Sequence, residues 1–250
     1  MAAPAANHFY DMQEAASLKI SKIAEKGPDY TYEDVVWHAW EKIPHPYFPE
    51  RATTATAPRY SIDREAYRGP SNNPLEHKPD VIVVRIHNVQ QVAGQRPTAV
   101  ERDVLWIECK APAHHQPNGW HKVLGEAVGR LHSAHRNRTV FLVLAVGMEW
   151  MPFIWDPTNA AAAGQTLQMI KDVRTQVWDD IDPRIRPVPN MANQRHITGR
   201  VIDTTRAYTL NFWDQDAQGN VTHLADLQLL ETFFNLVQGQ IFAGANPANF

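Results

Sequence analysis

One cysteine, Cys109, is all the thiol chemistry this chain carries. A disulfide framework within the chain is therefore excluded, and the composition suits a reducing, intracellular compartment, cytoplasm or nucleus. Long hydrophobic runs are missing too. No stretch reaches the roughly 18 uninterrupted apolar residues that a membrane helix requires, so no membrane partner is expected. The opening "MAAPAANHFYDMQEAA" has neither the basic start nor the apolar segment of a secretory signal. Without one, the N-x-Ser/Thr sequons at Asn137 and Asn220 read as chance. Charge of one sign is scarce as well: 24 Lys and Arg against 27 Asp and Glu give a net charge of −3. That balance argues against a protein that coats nucleic acid non-specifically, while leaving room for local basic patches. There is no internal repeat, and "AAAAG" at 160–164 is the only low-complexity patch.

What the chain does have is 44% hydrophobic residues over 250 positions, enough for one domain with a real core or a core domain with an appendage. Residues 1–6 read as a loose tail. A helix is expected over about 9–26, stopped by Gly27 and Pro28, and a second in "YEDVVWHAWEKI" with Thr31 as N-cap. Residues 51–77 are polar and read as loop. "VIVVRI" (81–86) and "VLWIEC" (104–109) read as strands covered on both faces, joined by a polar connection. A helix over about 119–135 follows, then two strands at 140–147 and 150–156 joined as a hairpin. Further on, the pattern predicts a helix over about 165–178, a strand in "AYTLNFWD" and a last helix over 224–239. That last helix puts Leu227, Leu230, Phe234 and Val237 on one stripe.

The two central strands each end in charge. If they pair antiparallel with 86 opposite 102, then 80 lies opposite 108, since both pairs sum to 188. Directly opposed side chains lie roughly 4.5–5.5 Å apart at Cβ and share a face. Lys110, two residues beyond Glu108, points the same way. Asp80, Glu108 and Lys110 then converge at one end of the sheet. Two close carboxylates repel unless one is protonated or a cation lies between them. A divalent ion such as Mg²⁺ suits oxygen ligands, and the backbone carbonyl of Cys109 would add one more to Asp80 and Glu108. Lys110 would orient or help deprotonate a water and offset charge on phosphorus. The chemistry that uses this set is hydrolysis of a phosphodiester.

Pro79-Asp80 followed by Glu108-Cys109-Lys110, each part on an apolar strand with a helix and strand after, resembles the PD-(D/E)XK nuclease superfamily, the restriction-endonuclease-like fold. "VLWIECKAP", the Trp-led helix and "VFLVLAVG" look most like its fungal members, and the resemblance covers about 75–156. It implies an α/β fold, with a restriction-endonuclease-like core, a mixed central β-sheet and flanking helices. It also implies Mg²⁺ or Mn²⁺ as cofactor and nucleic acid, DNA or RNA, as substrate. It implies a further acid on the leading helix, for which Glu14 and Glu33 compete, and one on the helix after the motif, for which Glu126 is the candidate. Residues 1–160 would hold this core. Residues 161–250 would form a mostly helical extension that packs on the core or supports a homodimer.

Other readings compete. Asp80 and Lys110 would form a plain ion pair in a structural strand end, or the fold would keep the motif and serve as a binding module. A closed pocket in place of a groove would suit small phosphorylated substrates. His114, His115 and His121 match no zinc spacing. Arg130, Arg136 and Arg138 would track a phosphate backbone or form an exposed charged face. Among the tryptophans, which read as core anchors, Trp120 is the stacking candidate. The Cys109 thiol reads as a small core residue.

Overall fold

In the computed structural model the residues described are 7–52, 57–66, 78–90, 93–96, 98–161, 166–172 and 177–239. The expected tail at 1–6 lies outside them. Helix α1 spans Ala15–Lys26, shorter at its start than the pattern suggested, and buries Ala16, Ile20 and Ile23. Gly27 ends it at φ 79°, donating its N–H to the carbonyls of Ile23 and Ala24, and Pro28 forbids continuation. Helix α2 spans Asp34–Lys42 and buries Val35, Val36, Ala39 and Trp40. Its N-cap is Glu33 rather than Thr31, because the first helical residue is Asp34. The Glu33 side chain makes no bond to its own helix end and is free to act elsewhere.

Eleven strands follow: β1 (Arg59–Arg64), β2 (Val81–Gln90), β3 (Thr98–Lys110), β4 (Val140–Val146), β5 (Glu149–Trp155), β6 (Gln168–Asp172), β7 (Val177–Asp180), β8 (Ile185–Arg186), β9 (Ile197–Thr198), β10 (Val201–Ile202) and β11 (Tyr208–Thr209). Helix α3 (Pro117–Ala134) lies between β3 and β4, and α4 (Leu224–Gly239) closes the described chain. The main sheet has seven strands in the order β1-β2-β3-β4-β5-β11, with β8 also on the edge of β5. In that sheet, among the described residues, β3 and β4 are the parallel pair, since α3 provides the crossover a parallel pair needs. The remaining pairs in that sheet are antiparallel, so the fold is α/β with a mixed sheet flanked by helices.

Alternation along the strands splits the core between the two faces. Val81, Val83, Ile107, Cys109, Phe141, Val143 and Ala145 pack with α1, α2 and α4. Ile82, Val84, Trp106, Leu142, Leu144 and Val146 pack with α3 and the second sheet, ordered β7-β6-β10-β9. Even-numbered residues at the end of β3 therefore face α3. The hairpin of β4 and β5 turns at Gly147, whose φ of 56° favours glycine, and a Cβ there would press on Pro112 at 3.0 Å.

Several expectations are corrected. The stretch read as loop holds β1, an edge strand against β2, although 53–56 and 67–77 lie outside the described residues. The connection between β2 and β3 is mostly strand, because both strands continue past the apolar runs as the outer part of a long hairpin. The predicted helix at 165–178 is replaced by β6 and β7. Leu167 and Met169 are buried while Gln168 and Ile170 are only partly so, a period of two that suits a strand. Residues 165 and 173–176 of that span lie outside the described residues. Consequently the C-terminal part is not mostly helical: α4 is its one helix of several turns among the described residues. "AYTLNFWD" contributes only the two residues of β11.

Candidate functional site

Asp80 immediately precedes β2, and Glu108 and Lys110 end β3. The observed pairs Val81–Ile107, Ile82–Trp106 and Val83–Leu105 all sum to 188, so one step further Asp80 lies beside Glu108. The expected pairing of 86 with 102 fails. A bulge between Val83 and Val84 inserts Val104, and Ile86 meets Glu101 instead. The register holds at the site and slips by one beyond it.

Both carboxylates converge on one guanidinium. Arg130 on α3 donates to Glu108 Oε2 and lies 3.9 Å from Asp80 Oδ1. Asp80 Oδ2 also accepts the backbone N–H of Cys109 at 2.6 Å. Lys110 Nζ is shared between Glu33 Oε1 at 2.7 Å and Glu126 Oε2 at 2.9 Å. Four carboxylates and two cations thus gather at one end of the sheet. Glu126 and Arg130 are four residues apart on α3, which places them on one ridge. The start of α3 is pinned by Gly119: a Cβ there would come within 1.9 Å of the His114 carbonyl oxygen, so any other residue would clash with the turn that leads into the helix.

Burial makes this network costly. Glu108 is 1% exposed and Lys110 7%. Burial and then the Asp80 charge push the Glu108 carboxyl well above its usual pKa, against the pull of Arg130 and Lys110. Burial likewise pushes Asp80 up to about 6, despite the Cys109 N–H and Arg130. For Lys110, burial works against the ammonium, but hydrogen bonds to Glu33 and Glu126 outweigh it and raise its pKa. Glu108 Oε1 is buried with no hydrogen-bond partner. An unsatisfied buried carboxylate oxygen is expensive, and its presence calls for an explanation.

The donor set fits a hard divalent cation in this respect: Glu108 Oε1 is an unused oxygen beside the Asp80 carboxylate. Among the described residues no group of three or more His, Cys, Asp and Glu is arranged to hold a metal ion. Beside two carboxylates, water and a phosphate oxygen would complete the shell, as is common for Mg²⁺. Cys109 gives its backbone N–H to Asp80; its thiol lies on the opposite face in the core, where burial raises its pKa.

Other candidates sort themselves by position. Of the two N-terminal acids the structure brings Glu33 to Lys110, whereas Glu14 meets Asn7 on the surface. Arg130, read from the sequence as a backbone-tracking residue or an exposed charge, turns inward. Arg138 is buried and Arg136 is exposed, so the three do not line one face. His115 pairs with Glu149 and His121 with Asp179, in separate places. Trp120 is 1% exposed and belongs to the core. The role of Arg130 was the residue chiefly missed. Its spacing from Glu126 was a signal, since a basic residue one turn beyond a candidate acid on a crossover helix points to the same strand ends.

Among the described residues, no helix is long and apolar enough to cross a membrane. No protein-family model, no curated protein and no solved structure matches this chain.

Proposed function

We propose that the chain is a metal-dependent nuclease of the PD-(D/E)XK type, hydrolysing phosphodiester bonds at the end of β2 and β3. The observation that carries this reading is the gathering of Asp80, Glu108 and Lys110 at one end of the sheet, in two neighbouring sets of ion pairs, with one Glu108 oxygen left unsatisfied. Asp80 and Glu108 would hold the Mg²⁺ or Mn²⁺. When bound, the ion would supply Lewis acidity toward a phosphoryl oxygen and favour hydroxide over water. Lys110, held as an ammonium by Glu33 and Glu126, is better placed to offset charge on the reacting phosphate than to take up a proton. Glu126 and Glu33 position that ammonium. Arg130 neutralises Glu108 in the resting arrangement and would release it when a stronger cation arrives.

Arg130 also favours a second reading. Burial favours the protonated form of Glu108, so a guanidinium that bridges the two carboxyl groups balances their charge without a metal, as expected of a binding module on the same scaffold. One experiment separates the two. Plasmid, linear duplex, single-stranded DNA and RNA are incubated with the full chain in Mg²⁺, Mn²⁺ or EDTA, alongside identically purified Glu108→Ala and Lys110→Ala. The nuclease reading expects metal-dependent cleavage that falls at least about a hundredfold in each variant. Equal behaviour of wild type and variants on every substrate would overturn it in favour of the binding module.

A further inference from the structure

Beside the charged network lies a shallow, open depression lined by Tyr30, Thr31, Tyr32, Glu33, Asp34 and Trp37. It follows the turn from α1 into α2, and Glu33 belongs to both the depression and the Lys110 pair. Three aromatic rings in so short a stretch would ordinarily be drawn into the core. Here Tyr32 is 68% exposed, among the most exposed large apolar side chains described. Tyr30 and Tyr32 lie with ring centroids 5.6 Å apart and tilted by 57°, so the Tyr32 face is not covered by its neighbour. Arg64 lies over Trp37, its guanidinium carbon 3.2 Å from the ring centroid, and Lys26 lies 5.2 Å from the centre of Tyr30. Tyr30 and Trp37 thus pack on the core with a cation over each ring, and Tyr32 is the ring of the three that stands exposed.

The acids of the depression are engaged. Glu33 accepts from Lys110, and Asp34 accepts the Tyr30 hydroxyl at 3.1 Å. Their charge disfavours a phosphate inside the depression but not a neutral ring that carries amino or imino donors. A planar base laid on Tyr32 with its phosphates outside, toward Arg64 and Lys26, matches this distribution of charge and surface. Paired bases in a duplex are stacked on one another and cannot present a face to Tyr32.

We infer that the exposed Tyr32 ring, beside the Glu33 that holds Lys110, is a base-stacking subsite that receives an unpaired nucleobase, which makes single-stranded nucleic acid the substrate class. This rests on the nuclease reading for the identity of the neighbouring site, but its test does not require cleavage.

The test measures binding of fluorescein-labelled single-stranded DNA, single-stranded RNA and duplex DNA of matched length to the full chain in EDTA. Wild type, Tyr32→Ala and Tyr32→Phe are compared. A fluorescent adenine analogue in the single strand reports stacking through quenching of its emission. Because Tyr32 is exposed, neither substitution threatens the fold. Tyr32→Ala is expected to weaken single-strand binding about tenfold and to abolish quenching, with Tyr32→Phe close to wild type and duplex binding unchanged. The DNA and RNA arms show whether the sugar matters. Three results would overturn the inference: unchanged single-strand affinity in Tyr32→Ala, an equal loss for duplex, or no binding of any single strand. Tyr32-dependent binding without cleavage of any substrate would sink the nuclease reading alone. Cleavage indifferent to Tyr32, with binding also indifferent, would sink this inference alone.

Discussion

Among the places where this molecule buries charge, two treat it differently. Around β11, Arg195 forms two bonds to Asp226, both 2.7 Å, and Asp226 also accepts the Thr209 N–H at 3.0 Å. Arg195 gives further N–H groups to the carbonyls of Arg206 and Ala207. Tyr208 accepts the Arg195 N–H at 2.8 Å and donates to the Asn193 carbonyl, and His196 lies 3.0 Å from the Pro152 carbonyl. Acceptors and donors in this knot answer one another. At the Asp80 end of the sheet, by contrast, four carboxylates share two cations, Glu108 keeps an unsatisfied oxygen, and two carboxyls are pushed up in pKa. A closed network of buried polar groups fixes structure. An open one costs stability and is kept where chemistry needs it.

The sharpest way to break this contrast is to cut each network and compare signs. Asp226→Ala removes the carboxylate from a satisfied set and leaves Arg195 and Thr209 without it. A loss of about 3 kcal/mol in urea unfolding is expected. A neutral result would mean the knot is not structural.

Next in size is the pH response of the knot. Burial holds the His196 imidazole neutral, with its pKa depressed from 6.5 to about 4. The fold favours the uncharged ring, so this contribution is complete above pH 6.5 and lost as pH falls toward 4. A difference of about 2.5 in pKa corresponds to about 3 kcal/mol across that window. Chemical denaturation of wild type and His196→Gln between pH 4 and pH 7 should show a steep acid limb in the first and a flatter one in the second.

At the site the sign reverses. Asp80 has a folded pKa raised from 3.8 to about 6, so folding favours its protonated form. Its ionisation penalises the fold as pH rises from 3.8 through about 6, and below 3.8 there is no penalty. Asp80→Asn is therefore expected to stabilise the protein by about 2 kcal/mol above pH 6, with the gain vanishing near pH 4. Destabilisation at pH 8 would place the site with the knot and end the comparison. The smallest effect belongs to Glu14→Ala, expected to change stability by no more than about 0.5 kcal/mol and leave cleavage unaffected. Glu33→Ala, which takes a partner from Lys110, should lower cleavage.

Legibility in the sequence followed the range of the cause. The strands at 81–86 and 104–109, α3 and α4 were readable because each carries its own apolar pattern, and the α4 stripe of Leu227, Leu230, Phe234 and Val237 is buried as expected. The approach of Asp80 to Glu108 was readable from the parity of strand pairing. What lay beyond reach depended on tertiary partners. Nothing local distinguishes Glu33 from Glu14, since the choice is made by how α2 meets the end of β3. Strand β1 exists because β2 offers it an edge, not because Arg59–Arg64 is apolar. The bulge at Val104 left no mark, because two consecutive apolar residues fit a strand covered on both faces.

That bulge also bears on how the chain can change. It separates the hairpin into an inner part whose pairing aligns Asp80 with Glu108 and an outer part, from Val84 to Gln90 and Thr98 to Asp103, with its own alignment. Insertions or deletions in the outer part can be absorbed there without shifting the inner ladder. The outer hairpin is thus an evolutionary buffer, free to lengthen, shorten or acquire new contacts while the charged end of the sheet keeps its alignment.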